Sequence, residues 1–182
     1  MILYSGAGTD GKQVAAALLA RAVEMFSGLS PLPQISRLPG GKPFFPDYPR
    51  LHFNLSHSGP FALCAVADVP LGVDVEEVRP RGASLPRYIM SDAEYNWYLR
   101  RGAHWTDFYT LWTCKEARVK LEETGLNRPP REIAVPFFST GGVGTAEGAL
   151  FRGYQGEGWR GAVCTGAGTV LPEKVIQNFK YF

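Results

Sequence analysis

The chain has 182 residues and a hydrophobic fraction of 45%, enough apolar material for one packed domain or two small ones. Its formal charge of +2 is too small to imply nucleic acid and is compatible with an acidic partner, so no nucleic-acid partner is expected, and no apolar run reaches the ~20 residues of a membrane span. Met1 to Ser5 lack the basic and long apolar regions of a signal peptide, so a cytoplasmic location is expected.

Residues 2–4 read as a strand. Asp10, with Gln13 three positions on, opens a helix through the Ala/Leu-rich run 14–26, and Gly28 ends it. Residues 31–49 form a long Pro- and Gly-rich stretch, and connections of that length in a compact domain are often functional. Strands are expected at 51–55, 61–67 and 71–75, with a polar loop at 56–60 between the first two. Residues 77–86 read as a linker. Ser91 and Glu94 make a capping box that starts a helix through Trp97 and Leu99. A second helix spans 106–123 with Gly125 as its cap, and strands follow at 133–138, 149–154 and 159–164. Gly141 to Gly144 reads as a mobile hairpin tip. The order gives an α+β fold of two halves, 1–80 and 81–182. Cys64, Cys114 and Cys164 are odd in number, widely spaced and set among apolar residues, so they read as reduced core thiols.

Three carboxylates dominate the chemistry. Asp74 and Glu76 stand two residues apart in a β-branched run, so both project from one face of a strand. Glu116 and Lys120 stand one helical turn apart, in the favourable acid-before-base order. Hard oxygen ligands beside a basic residue suit Mg²⁺ holding a phosphorylated substrate. Each feature also has a plainer reading. The strand pair is equally a solvated edge face, and the helix pair equally a surface ion pair. Against the latter, Trp112 shares the stripe of Glu116 and Lys120, and Phe108, Tyr109, Leu111, Cys114, Ala117, Val119 and Leu121 make most of the helix apolar. The segment from Asn54 to Gly59 offers Ser56, His57 and Ser58 to an anionic ligand, or is simply a hairpin turn. A Ser-His nucleophilic pair is discounted, because adjacent residues seldom face each other and no G-x-S-x-G elbow is present. His52 and His104 have no ligand pattern around them. Arg79, Arg81, Arg87, Arg100 and Arg101 read mostly as a solvated face.

Taken together and in order, four segments resemble the 4′-phosphopantetheinyl transferases of the Sfp type. They are Gly41-Lys42-Pro43, Phe53-Asn54-Leu55-Ser56-His57-Ser58-Gly59, Gly72-Val73-Asp74-Val75-Glu76, and Phe108-Tyr109-Thr110-Leu111-Trp112-Thr113-Cys114-Lys115-Glu116-Ala117 with Lys120. The resemblance runs from residue 12 to residue 165. It implies two similar α+β halves related by a pseudo-twofold axis, with the site between them. It also implies transfer of the phosphopantetheine arm of coenzyme A to a serine of an acyl or peptidyl carrier protein, releasing adenosine 3′,5′-bisphosphate.

By position, Asp74, Glu76 and Glu116 resemble the family's Mg²⁺ ligands, and Mn²⁺ accepts the same oxygens. Lys120 resembles the lysine that contacts the pyrophosphate. His57 resembles the histidine that holds a coenzyme A phosphate, with Ser56 beside it, and Lys42 the lysine that reaches the 3′-phosphate. Glu116 is the usual proton acceptor of the family, with metal-bound water as the alternative. Lys115 either makes a structural ion pair or faces the carrier. Sfp-type proteins carry a basic extension ahead of the first long helix, whereas residues 1–10 alone precede it here. Lys12 and Arg21 fall near the basic positions of that helix, so a weaker hold on the 3′-phosphate is expected. The carrier's docking surface is expected around 90–101 and the Trp112 helix, and the chain is expected to be a monomer. Other readings are a Mg²⁺ phosphotransferase or phosphohydrolase that needs no carrier, a non-catalytic module that binds coenzyme A or a carrier, and a plain α+β domain. The presence of all three carboxylates and Lys120 argues against the binding module.

Overall fold

In the computed structural model, which describes residues 1–123, 125, 128–138 and 141–177, local chemistry sets where the elements begin and end. β1 (Ile2–Ala7) leads into α1 (Gly11–Ser27). The Asp10 carboxylate accepts from the Lys12 and Gln13 amides and satisfies donors that the first turn leaves open. Gly28 closes the helix at φ 74°, a left-handed conformation that glycine adopts without strain. β2 (Ser36–Arg37) and β3 (Pro43–Phe44) make a short antiparallel ribbon in the Pro-rich stretch. β4 (His52–Ser58), β5 (Phe61–Ala67) and β6 (Leu71–Glu77) follow.

The β4–β5 turn is confined to Gly59 and Pro60, shorter than the loop expected at 56–60. Ser56 and Ser58 stay in the strand because their hydroxyls find acceptors on Asp74 and Glu76. Next come α2 (Leu85–Ile89), α3 (Asp92–Arg100) and α4 (Trp105–Glu122), then a 3₁₀ turn at Pro130–Glu132. β7 (Val143–Ala146), β8 (Ala149–Gly156), β9 (Trp159–Gly166) and β10 (Ile176–Gln177) complete the described chain.

Three local expectations are corrected. Residues 133–138 form no strand. The Ile133 carbonyl serves the Lys115 ammonium at 2.7 Å, and Pro136 has no amide to give a ladder. Gly141 to Gly144 is not a hairpin tip. The Gly141 amide donates to the Gly153 carbonyl and the Gly153 amide to the Gly142 carbonyl, so this run enters the sheet edge. The tip is Glu147-Gly148, both at positive φ as a two-residue hairpin turn requires. The cap of α4 is Glu123, at φ 62°, ahead of the expected Gly125.

Two four-stranded sheets result, in the orders β10-β1-β5-β4 and β6-β9-β8-β7. Strand alternation gives each sheet two apolar faces. Leu63 and Ala65 of β5 meet Val73 and Val75 of β6 and Val163 of β9 in a core between the sheets. On the far side of the first sheet, Phe53, Cys64 and Val66 pack under Val14, Leu18 and Leu19 of α1. On the far side of the second, Phe151, Ala162 and Cys164 pack under Phe108, Leu111, Cys114 and Ala117 of α4. The mixed α+β fold is therefore layered helix, sheet, sheet, helix. β6 lies before residue 80, yet its ladder partner is β9, from Leu71 opposite Thr165 to Glu77 opposite Trp159. The three cysteines are free and buried. Among the described residues no helix is long and apolar enough to cross a membrane.

Candidate active site

Gly72 sets the position of the site. A Cβ there would lie 1.9 Å from the Ala117 carbonyl oxygen and 2.6 Å from the Leu121 amide nitrogen. The missing side chain lets α4 lie directly on β6, the close backbone approach that only glycine permits. Leu71, Val73 and Val75 point into the core between the sheets, so the alternate residues Asp74 and Glu76 face the helix. Glu116 and Lys120 descend from the helix onto the same patch.

The carboxylates are held by unlike partners. Asp74 is buried, and its Oδ1 accepts from Lys120 Nζ at 2.7 Å and from Ser56 Oγ at 2.7 Å. Lys120 Nζ also donates to Ser56 Oγ at 3.0 Å. Asp74 Oδ2 is buried with no hydrogen-bond partner among the described residues. Glu76 accepts from Ser58 Oγ at 2.6 Å and from the Trp112 indole at 3.4 Å. Burial, and then the neighbouring Asp74 charge, push the Glu116 carboxyl up to about 7. Lys120 acts in the opposite sense, and Glu76 adds to the rise. One ammonium thus stands among three carboxyl groups, too little positive charge for all of them.

That imbalance is the test of whether a divalent cation fits. Among the described residues no three His, Cys, Asp or Glu side chains are drawn into a ready metal cage. The oxygen donors gathered here are nevertheless of the chemical type that a hard cation takes. They include an Asp74 oxygen that is buried and unpartnered among the described residues, and a Glu116 carboxyl raised by burial and then by its acidic neighbours. A second positive charge would satisfy the orphan oxygen and reverse the rise at Glu116.

The other predicted residues divide between two ends of β4. Lys42 and Lys120 line one cavity of about 230 Å³, with Gly40, Asn54 and Glu123. Lys42 Nζ stands 3.2 Å from Glu123 Oε1 and donates to the Leu71 carbonyl at 3.3 Å. His57 leaves the opposite face of β4 from Ser56 and is exposed. Its Cβ would lie 3.3 Å from a Cβ on Gly11, which puts it against the first turn of α1, where Lys12 is also exposed. Ser56, Asp74, Glu76, Glu116 and Lys120 therefore form one cluster. Lys42 adjoins it, and His57 lies apart, against the first turn of α1 that carries Lys12.

Sequence reasoning missed several partners. Asn54 Oδ1 accepts from the Val73 amide at 2.8 Å and ties β4 to β6. The alternation Asn54, Ser56, Ser58, polar on one strand face, was the available signal. Glu94 was read only as a capping residue. It does accept the Ser91 amide at 2.7 Å, but its other oxygen takes the Lys115 ammonium at 2.7 Å inside the protein. Of the two readings open for Lys115, the structural ion pair is the one observed. Glu123 carried no signal beyond its place at the helix end.

A family model for the 4′-phosphopantetheinyl transferase superfamily matches residues 70–164, more than half of the chain. The matched span holds Asp74, Glu76, Glu116 and Lys120 but none of Lys12, Lys42, Ser56 or His57. The chain is 38% identical over 105 residues to the 4′-phosphopantetheinyl transferase Sfp of Bacillus subtilis, covering 57% of this chain and 47% of that protein. It is 38% identical over 110 residues to the 4′-phosphopantetheinyl transferase AcpT of Salmonella typhi, covering 58% and 57%. It is 32% identical over 91 residues to the 4′-phosphopantetheinyl transferase gsp of Aneurinibacillus migulanus, covering 49% and 38%. The chain spans about half the length of the curated relatives it matches.

Proposed function

Since the chain belongs to the 4′-phosphopantetheinyl transferase superfamily, we propose that it transfers the phosphopantetheine arm of coenzyme A to a carrier-protein serine. The serine oxygen bonds to the phosphorus that carries the arm, the pyrophosphate anhydride bond breaks, and adenosine 3′,5′-bisphosphate leaves. The observation that carries this reading is the cluster on Gly72, where three carboxyl groups and Lys120 converge with one buried carboxylate oxygen unpartnered.

Asp74, Glu76 and Glu116 are the residues that would hold Mg²⁺ or Mn²⁺, which when bound neutralises charge on the pyrophosphate. Lys120 contributes a second positive charge, fixed by Asp74 and Ser56, at the leaving phosphate. Ser56 keeps that ammonium oriented and Ser58 does the same for Glu76. Glu116 is the acceptor for the serine proton. Lys42, His57 and Lys12 bind phosphates of coenzyme A from the two ends of β4.

The halves 1–80 and 81–182, each contributing most of a sheet backed by a long helix, form the pseudo-twofold pair, with β6 exchanged onto the second sheet and β10 onto the first. Carriers are acidic, so they dock where apolar and basic groups meet. Within 90–101, Leu99, 49% exposed, is followed by the exposed Arg100 and Arg101, groups of that kind. The protein acts as a cytoplasmic monomer. The test is the mass of a panel of apo carrier proteins after incubation with the protein, Mg²⁺ and coenzyme A. A gain of one phosphopantetheine arm, lost on adding EDTA, is expected. No gain on any carrier contradicts the reading.

A further inference from the structure

Glu123 spends local stability on an unusual position. It is the residue after α4, at φ 62°, where a side chain is strained and glycine is not. Its carboxylate also stands at the negative end of the helix dipole, where a cation is favoured. Two unfavourable terms are thus set against the 3.2 Å pair with Lys42 and a weaker attraction to His52 among the described residues. Lys42 is only 14% exposed and Glu123 is 43% exposed, so the lysine is the fixed member and the carboxylate the displaceable one. A half-exposed pair of this kind contributes little to folding.

Its location gives the pair another use. Lys42 and Glu123 line the cavity of about 230 Å³ that reaches Lys120. They also line the adjoining cavity of about 210 Å³ walled by Phe44, Phe45, Tyr48 and His52. The loop is seated against the helix end, since a Cβ on Gly40 would lie 3.1 Å from the Glu123 carbonyl oxygen. The pair therefore divides two adjoining cavities, and Glu123 holds an ammonium that opens onto the proposed phosphate site.

We propose that Glu123 is an internal competitor for the phosphate-binding ammonium of Lys42, and so sets the affinity of the site for coenzyme A. This rests on the transferase reading above. A phosphate reaching Lys42 must exchange for the carboxylate, which swings outward to solvent from the end of the helix. Removing the carboxylate leaves Lys42 uncompensated and ready for an anionic ligand.

The test is calorimetric titration of coenzyme A into the wild type, Glu123→Gln, Glu123→Gly, Lys42→Gln and the Glu123→Gln/Lys42→Gln double variant. Thermal unfolding confirms that each is folded. Glu123→Gln keeps the left-handed residue and removes only the charge, so it should tighten coenzyme A about five-fold. Glu123→Gly should do at least as well, and the gain should vanish when Lys42 is absent. No gain in Glu123→Gln, a gain in Glu123→Gly alone, or an equal gain without Lys42 overturns the proposal while leaving the transferase reading intact. Absence of coenzyme A binding by the wild type overturns both.

Discussion

Lys115 and Lys120 lie on the same helix, and their ammoniums have opposite surroundings. Lys115 is fully buried and fully served. It donates to Glu94 at 2.7 Å and to the Pro130 and Ile133 carbonyls at 3.0 and 2.7 Å. Lys120 is partly exposed, shares its charge among three carboxyl groups, and leaves one Asp74 oxygen without a partner. The first arrangement closes every valence and resembles a structural joint between α3, α4 and the 3₁₀ turn. The second leaves a buried Asp74 oxygen open among the described residues, while Lys120 itself lines the cavity of about 230 Å³. A satisfied buried charge speaks of architecture, and an unsatisfied one of ligand binding.

The largest expected effect lies on the structural side. Lys115→Met leaves the Glu94 carboxylate buried and unpaired, and urea unfolding should show a loss of about 3–5 kcal/mol. Adding Glu94→Leu should restore much of it, because replacing both partners removes the uncompensated charge. If Lys115→Met alone is neutral, the two lysines do not differ as described.

Lys120→Met should show the converse. Transfer to the carrier should fall about 10²–10³-fold, as when one fixed charge at a developing anion is removed. With Mg²⁺ present to compensate Asp74, the melting temperature should change less than for Lys115→Met. A comparable loss of stability would make Lys120 another structural joint. Gly72→Ala probes what brings the helix to the strand. Its new methyl group must push against the Ala117 carbonyl, so a destabilisation of about 1–3 kcal/mol is expected together with lost activity.

The smallest effect is a pH dependence. With its carboxyl raised to about 7, Glu116 favours the folded state in its neutral form. That contribution is complete below the ordinary carboxyl range and is lost as pH rises through about 7. In EDTA, the wild type should lose melting temperature between pH 4.5 and 7.5 relative to Glu116→Gln. Parallel curves for the two proteins would place Glu116 in ordinary solvent.

Much of this was legible in the sequence for physical reasons. Asp10 and Gly28 mark α1 because capping chemistry is local. The spacing of Asp74 and Glu76 predicts a shared face because strand alternation is local too. What escaped depends on contacts distant in the chain. The Ile133 carbonyl is diverted by a lysine from another element, so an apolar run that reads as a strand forms none. Glu94 is legible as a cap, but its buried partner is on another helix. His57 sits beside Ser56 in sequence, and alternation sends them to opposite faces, so one motif serves two places. The Glu123 pair needed both the left-handed turn and the Gly40 loop to be in place.

On this reading the charged groups gathered between β6 and α4 serve phosphopantetheine transfer and not folding. The most direct test compares wild type and Glu116→Gln on one responsive apo carrier, reading carrier mass and the enzyme's melting temperature at pH 8. Glu116→Gln should add no arm to the carrier while melting at or above the wild-type temperature in EDTA. An undiminished mass gain by Glu116→Gln, or loss of activity that comes only with unfolding, would contradict it.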